Sequence, residues 1–396
     1  MKNVKSGTKE PKRILLLGST GSIGCQTLEA AAGRGWEVLG LSANQKWELV
    51  EQQARRWRVR YCAMADPGAA EKLRAALSDT DTEVFGGTEG ILRMIRSTDA
   101  QVTVLNAIVG EAGLLPTLEA VRTHRRLALA NKESLVAGGR LVMQQARKYH
   151  TAILPVDSEH CAIWQCLRAG KHKEVKRLIL TASGGPFFGK GRKELEHIRP
   201  EDALKHPTWQ MGSKITIDSA TMMNKGFEII EAAWLFGVPV DRISVLVHRE
   251  SLVHSMVEFV DHTVMAQMAV PDMKACIAYA VEYPDRVPAV VDELDLVKAG
   301  ALHFYEPDEQ TFPAMGLARE AFRQGGVRTA VLNAANEVAV RAFLEGEIGF
   351  LDVTDLARRV VEQFASVPEA SDAAELLART AEARQATQRM IEEKGN

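Results

Sequence analysis

The sequence predicts an α/β protein: an N-terminal Rossmann-like, doubly wound parallel sheet, then an α+β middle catalytic domain, then a C-terminal helical domain. Three observations lead there. From Arg13 to about Ser158 short apolar runs alternate with amphipathic stretches. A glycine-rich turn follows the first of those runs, and beyond Gly300 the chain is rich in Ala, Glu and Arg. Ile14–Leu17, Val38–Ser42, Tyr61–Ala65, Val102–Asn106, Leu127–Ala130 and Ala152–Pro155 read as strands. Between them Cys25–Ala32, Trp47–Arg56, Ala69–Leu77 and Leu114–Thr123 read as helices, and such alternation argues for parallel βαβ units.

The middle of the chain breaks the pattern. From about Cys161 to Glu282, Gly-Gly-Pro, His-Pro and Met-Gly interruptions separate strands at Leu178–Thr181 and Val245–Val247. A β-rich stretch follows, Leu252–Phe259 and Val264–Met268 around an Asp261-His262 turn. The expected units are therefore 12–158, 159–299 and 300–396. A chain of 396 residues is too long for one compact core.

The formal net charge is −2, with both signs well mixed. No basic run suggests nucleic acid or an anionic membrane surface as partner, and no apolar stretch is long enough to span a bilayer. Met1 to Arg13 is polar and lacks the apolar core of a secretory signal, so it reads as a floppy extension. Five cysteines (Cys25, Cys62, Cys161, Cys166, Cys276) form no CxxC pair. They are expected to be buried, inert thiols of a cytoplasmic protein that acts on a small molecule.

Gly18-Ser19-Thr20-Gly21-Ser22-Ile23-Gly24 lies between a strand and a helix. Glycines there let the backbone turn tightly and approach a pyrophosphate over the helix N-terminus. After the second strand Ser42-Ala43-Asn44-Gln45-Lys46 offers no carboxylate for a ribose diol, but has a lysine for a ribose phosphate. That favours NADPH.

Asp157-Ser158-Glu159-His160 ends an apolar strand in a burst of polarity. On a strand, Asp157 and Glu159 project from the same face because side chains alternate. Two carboxylates there call for a cation, and hard oxygen donors favour Mg²⁺ or Mn²⁺, with Co²⁺ a further option. The alternative is simple helix capping by Asp157 or Ser158. A third acid can come from the helix that starts near Asn224. Phe227, Ile230 and Trp234 form its apolar stripe, which leaves Glu228 and Glu231 one turn apart on a flank. Helix geometry does not choose between them, and a solvated flank is the plainer alternative.

For a phosphate, Ser183 lies before a Gly-Gly turn, and Ser219, Thr221, Asn224 and Lys225 cluster at a helix start. Single hydroxyls there equally serve as N-caps. Lys132, in Ala130-Asn131-Lys132-Glu133-Ser134, shares the sheet edge with Asp157. Either substrate oxygens or a surface ion pair with Glu133 would engage it. His206-Pro207-Thr208-Trp209-Gln210-Met211-Gly212 reads as a lid that excludes water, or else as a hydrophobic plug in a fixed loop.

Taken together, GSTGSIG, AIVGEAGLLPT, LANKESLVAGG, LPVDSEH, TASGGPFF, HPTWQMGSKITIDSATMMNKGFEIIEA, VHRESLVHSMV, VPDM and LNAANEVAV resemble the 1-deoxy-D-xylulose 5-phosphate reductoisomerase family. These blocks run in order from Gly18 to Val340. The resemblance implies NADPH- and metal-dependent rearrangement and reduction of 1-deoxy-D-xylulose 5-phosphate to 2-C-methyl-D-erythritol 4-phosphate, by a homodimer, in the non-mevalonate isoprenoid pathway. It assigns the metal to Asp157, Glu159 and Glu228, which settles the helix ambiguity in favour of Glu228.

By the same resemblance, substrate would meet Lys132, Ser158, Glu159, Ser183, His206, Ser219, Asn224, Lys225 and Glu228, with Trp209 and Met211 on the lid. Lys132 and His206 would join the metal ligands in catalysis. Cofactor would meet Thr20, Gly21, Ser22, Ile23, Asn131, Glu133 and Gly212. Many relatives carry Gly, a base and Asn after the second strand; here Asn44, Gln45 and Lys46 take those places, with Lys46 one residue late. Two other readings rest on residues alone: a metal-free sugar-phosphate or semialdehyde dehydrogenase, and an NADPH-sensing regulator with a decayed site.

Overall fold

The computed structural model describes residues 11–123, 125–209 and 211–395. The expected floppy extension therefore falls largely outside the described residues. The first seven strands are β1 (Arg13–Leu17), β2 (Glu37–Ala43), β3 (Tyr61–Met64), β4 (Glu83–Gly86), β5 (Thr103–Asn106), β6 (Arg126–Leu129) and β7 (Ile153–Pro155). They form one sheet in the order β4-β3-β2-β1-β5-β6-β7, and every pairing is parallel. Strand β4 and the helices Gly87–Arg96 and Glu133–Lys148 add to the elements expected from the sequence.

The chain starts in the middle of this sheet and winds outward both ways. Its switch point is the crevice between the carboxyl ends of β1 and β5, where open α/β sheets bind ligands. Alternate residues of β1 feed opposite cores. Leu15 and Leu17 pack with the middle and C-terminal helices, whereas Ile14 and Leu16 pack with Leu41, Leu154 and Ile277.

The second sheet contains β8 (Val175–Ala182), β9 (Ile243–Val247), β10 (Val253–Phe259) and β11 (Val264–Met268). Its order is β11-β10-β8-β9, with β10 antiparallel to both β8 and β11. Helix Ser158–Cys166 packs on β10 and β11, which brings the end of the parallel sheet against the second one. Strand β11 is an edge, with Val264 and Met265 exposed.

Beyond residue 300, helices Ala314–Gln324, Arg328–Leu344, Phe350–Gln363 and Ala373–Gly395 close over helices Met223–Phe236 and Glu133–Lys148. One continuous apolar core joins them to a face of the parallel sheet. Helix Met273–Glu282 instead packs on the opposite face, beside Ser22–Arg34, and Trp36 Nε1 donates to Glu282 at 2.8 Å. No helix among the described residues is long and apolar enough to cross a membrane. All five cysteines are free, and all but half-buried Cys25 are buried.

Candidate active site

A cavity of about 910 Å³ runs from the glycine turn after β1 to the second sheet. Gly21, Ser22 and Ile23 form one end, at the start of helix Ser22–Arg34. The spacing of the turn has a steric reason. Gly18 has φ +85°, and a Cβ at Gly24 would lie 2.2 Å from the Gly18 carbonyl oxygen, so the helix can start tight against the turn only with glycine there.

The carboxylates converge in a different way from the strand alternation expected above. Strand β7 ends at Pro155, and Asp157 takes the N-cap position of helix Ser158–Cys166 without making a capping hydrogen bond. Glu159 therefore points from the first helical turn, and the pair is gathered by a strand-to-helix junction. Asp157, Glu159 and Glu228 each present an oxygen within 4.8 Å of the others, a set suited to a hard divalent cation.

Glu228 and Glu231 do not lie on a solvated flank. Both are 1% exposed, because helix Met223–Phe236 is enclosed by the helices around it. Only Glu228 faces the cavity. Glu231 turns to His160, 3.4 Å from Nδ1, in a second group that also contains Asp157.

Two ammonium groups hold the carboxylates together. Lys132 Nζ lies 2.7 Å from Asp157, 3.2 Å from Glu228 and 2.8 Å from Asn224 Oδ1. Lys225 Nζ lies 2.7 Å from Glu159 and also pairs closely with Glu228. The surface pairing of Lys132 with Glu133 is thus not what forms.

Burial works against the Lys132 charge, but Asp157, Glu228 and Glu231 outweigh it and hold its pKa well above the ordinary value. Burial opposes ionisation of Asp157 too, and Lys132 with His160 overrides it, so Asp157 stays well below the usual range. Glu228 moves up through burial and the neighbouring Glu159 charge. His160 is raised to about 9, because Glu231 and Asp157 overcome its burial. Glu231 is itself raised to about 7, chiefly by burial, which His160 only partly offsets.

At the other end, Ser183, Ser219, Asn224 and Lys225 line one lobe. His206 Nδ1 accepts the backbone N–H groups of Thr208 at 3.2 Å and Trp209 at 2.9 Å. In the neutral ring the proton therefore sits on Nε2, which faces Ser183 Oγ at 3.0 Å and Ser219 Oγ at 3.2 Å. Burial, then Arg249, push His206 down to about 4, so the neutral ring is the resident form. Both serine hydroxyls are left with their own protons to donate, an anion-binding arrangement. Thr221 is spent on the carbonyls of Ile217 and Asp218.

Trp209, Met211 and Gly212 border this lobe, while Gln210 lies outside the described residues. Lys132, Glu133, Asp157, Ser158, Glu159 and Glu228 form the floor between the two ends. Thr20, Asn44, Gln45, Lys46 and Asn131 are not among the wall residues. Residues 44–46 are exposed just beyond β2, and Asn131 donates to the Ile108 and Gly110 carbonyls at 2.6 and 2.8 Å.

Several wall residues were not singled out from sequence: Lys214, His248, His254, Met273 and Lys274. His248 and His254 lie in VHRESLVHSMV, and Met273 ends VPDM, so the signal was present as unread motif. Arg249, also in that block, holds the Gly-Gly turn by donating to the Ser183 and Gly185 carbonyls at 3.1 and 2.8 Å.

Three family profiles match. One described as 1-deoxy-D-xylulose 5-phosphate reductoisomerase covers 14–139, and two of C-terminal domains of the same enzyme cover 153–236 and 268–386. A curated reductoisomerase of that name from Ruminiclostridium cellulolyticum is 49% identical over 352 residues, spanning 89% of this chain and 92% of that protein. One from Bacillus cereus is 45% identical over 91% of this chain and 94% of its own length. Among solved structures, the Zymomonas mobilis reductoisomerase in complex with NADPH superposes with TM-score 0.90 at 39% identity, covering 97% and 100% of the two chains. A DOX-P reductoisomerase in complex with NADPH, fosmidomycin and magnesium gives TM-score 0.90 at 37% identity, covering 96% and 98%.

Proposed function

The chain belongs to the 1-deoxy-D-xylulose 5-phosphate reductoisomerase family, and from that premise we propose how its residues divide the work. It is an NADPH- and divalent-metal-dependent enzyme of the non-mevalonate pathway, which rearranges and reduces 1-deoxy-D-xylulose 5-phosphate to 2-C-methyl-D-erythritol 4-phosphate. The observation that carries the assignment of residues is the convergence of Asp157, Glu159 and Glu228 in the cavity that starts at the glycine turn.

Asp157, Glu159 and Glu228 would hold the cation. Bound there, a divalent cation supplies Lewis-acid polarisation of carbonyl and hydroxyl oxygens, and NADPH supplies the hydride. Lys132 keeps its proton, so it orients substrate oxygens by donation and steadies developing negative charge. Ser158 Oγ, 2.5 Å from Glu159 Oε2, can turn from that carboxylate to a substrate hydroxyl. Ser183, Ser219, Asn224 and Lys225 grip the phosphate, with neutral His206 fixing both serine hydroxyls. Anchoring the phosphate away from the reacting carbons turns remote binding energy into orientation.

Trp209 and Met211 exclude water as lid residues, and Gly212 lets the cofactor approach. Thr20, Gly21, Ser22 and Ile23 bind the pyrophosphate end, Asn131 and Glu133 lie at the nicotinamide side, and Asn44, Gln45 and Lys46 receive the ribose phosphate. The units 12–158, 159–299 and 300–396 serve as cofactor, catalytic and closing parts. The exposed edge β11 supports a homodimer, and five free cysteines suit the cytoplasm.

The test is NADPH oxidation, followed by absorbance, with 1-deoxy-D-xylulose 5-phosphate and Mg²⁺ or Mn²⁺. EDTA and Asp157→Asn should each abolish turnover. Folded protein that binds NADPH but turns over with neither metal would overturn the reading.

A further inference from the structure

Lys214 lies two residues past Gly212, in the first turn of helix Ser213–Ala220. Its side chain lines the cavity, yet no role in binding or chemistry has been given to it above. The ammonium bridges two buried carboxylates from different parts of the chain: Glu133 Oε1 at 3.2 Å and Asp218 Oδ2 at 2.8 Å. It also lies 5.2 Å from the ring centroid of Phe227, the residue before Glu228.

Asp218 accepts from Asn336 Nδ2 at 2.7 Å, so the C-terminal helix Arg328–Leu344 braces the same point. Glu133 in turn accepts from Asn131 Nδ2 at 3.2 Å. Burying two carboxylates is costly unless a partner neutralises them, and here one ammonium serves both. The end of the segment 206–212 and Glu133, the first residue of the helix that follows β6, are thereby fastened to one charge.

We propose that Lys214 is a positioning residue that couples the cofactor site to the lid: through Glu133 and Asp218 it ties the base of the lid to the edge of the parallel sheet that faces the cofactor. This rests on the reading that Glu133 lies in the cofactor site. Without the ammonium, Glu133 keeps only its hydrogen bond from Asn131, and the first turn of helix Ser213–Ala220 loses its hold on the start of helix Glu133–Lys148. Cofactor occupancy then no longer orders the residues that close over the substrate.

The experiment is hydrogen exchange of peptides spanning residues 206–213 in the full-length protein, with and without saturating NADPH. Wild type should show NADPH-dependent protection, with coupling in the range of about 5–150-fold typical between linked sites. Lys214→Met should still bind NADPH at saturation but lose that protection. Its KM for 1-deoxy-D-xylulose 5-phosphate should rise about tenfold while kcat changes less, and Lys214→Arg should restore both readouts in part.

Should Lys214→Met fold poorly, Lys214→Met combined with Asp218→Asn removes one unpaired carboxylate and is read the same way. Wild-type protection in either variant overturns the proposal. Glu133→Gln is measured alongside for NADPH affinity. Unchanged affinity there would sink the cofactor reading of Glu133, a result separate from the loss or survival of lid protection in Lys214→Met.

Discussion

Exchanging Glu228 and Glu231 for glutamine, one at a time, separates a residue that holds the cation from one that acts behind it. Each change keeps the shape and removes one negative charge, and both sites are equally buried. Glu228→Gln removes a member of the oxygen set with Asp157 and Glu159 and leaves Lys132 and Lys225 competing with the cation for the remaining pair. Replacing outer partners of metal ligands costs about 10–100-fold in metal affinity, so loss of a ligand should exceed about 100-fold, or about 3 kcal/mol.

Glu231→Gln acts one step removed. His160 loses its partner at 3.4 Å but keeps the Glu228 carbonyl at 2.9 Å and has Asp157 at 3.7 Å. Mn²⁺ affinity should fall about tenfold, or about 1.4 kcal/mol. The assay is titration of Mn²⁺ followed by the EPR signal of the free ion, which needs no turnover, beside the activation constant in NADPH oxidation. Equal losses in the two variants, or the reverse order, would refute the assignment of Glu228 over Glu231.

The same buried pair sets a pH dependence. The folded pKa of His160, about 9, lies above its ordinary 6.5, so its stabilisation is complete below pH 6.5 and disappears as pH rises through 9. The Glu231 pKa, raised from 4.5 to about 7, acts in the same direction, its contribution disappearing as pH rises through 7. The melting temperature of EDTA-treated protein, as far as this pair sets it, should therefore fall from pH 5 to pH 10, and Glu231→Gln should flatten the slope; a rise across that range in wild type contradicts the pairing. His206→Ala should raise KM for substrate by about tenfold or more as two hydroxyls lose their anchor, and the acid limb of the wild-type pH–rate profile should show no titration of this ring near 6.5. Lys46→Ala should weaken NADPH by about tenfold and leave NADH unchanged, read by cofactor fluorescence; equal weakening of both would remove Lys46 from phosphate recognition. Gly24→Ala forces a Cβ against backbone at 2.2 Å and should cost about 1–3 kcal/mol in thermal unfolding while weakening both cofactors.

The parallel sheet was legible because its strands are apolar on both faces, and buried β1 shows this as Ile14-Leu15-Leu16-Leu17. Strand β4 escaped because only Val84 and Phe85 are buried in it, too short a run to stand out. Helix Glu133–Lys148 escaped for another reason: a kink at Gly138 and a partly polar face interrupt its period. The acidic cluster was visible as residue types but not as geometry. A strand ending at Pro155 rather than continuing to Glu159 gives the same two carboxylates by a different route, and only the turn between strand and helix distinguishes them. Spacing alone left Glu228 and Glu231 equal because they lie one turn apart on the same flank; what separates them is His160, from helix Ser158–Cys166, which takes Glu231 and is invisible to helical periodicity.

What the sequence concealed most thoroughly are groups that act through other groups. Lys132, Asp157 and Glu159 stand where elements of the parallel sheet give way to helices, and such junctions announce themselves as polar bursts after apolar runs. Arg249 and Lys214 carry no such mark, and His160, inside the Asp157–His160 burst, carries nothing that names its partner Glu231. Arg249 holds a turn through carbonyl oxygens, His160 pairs with Glu231 behind the cavity carboxylates, and Lys214 fastens two carboxylates from distant segments. Each is a cation or potential cation whose partner lies in another part of the chain. The site is therefore a balance of charges assembled by tertiary packing. The buried or nearly buried carboxylates Asp157, Glu159 and Glu228 at its floor, and Glu231 behind them, are tolerable only because Lys132, Lys225 and His160 converge on them. A divalent cation held by Asp157, Glu159 and Glu228 would compete with that ammonium pairing, and Lys132 and Lys225, which line the same cavity, would then be left to donate to a ligand's oxygens.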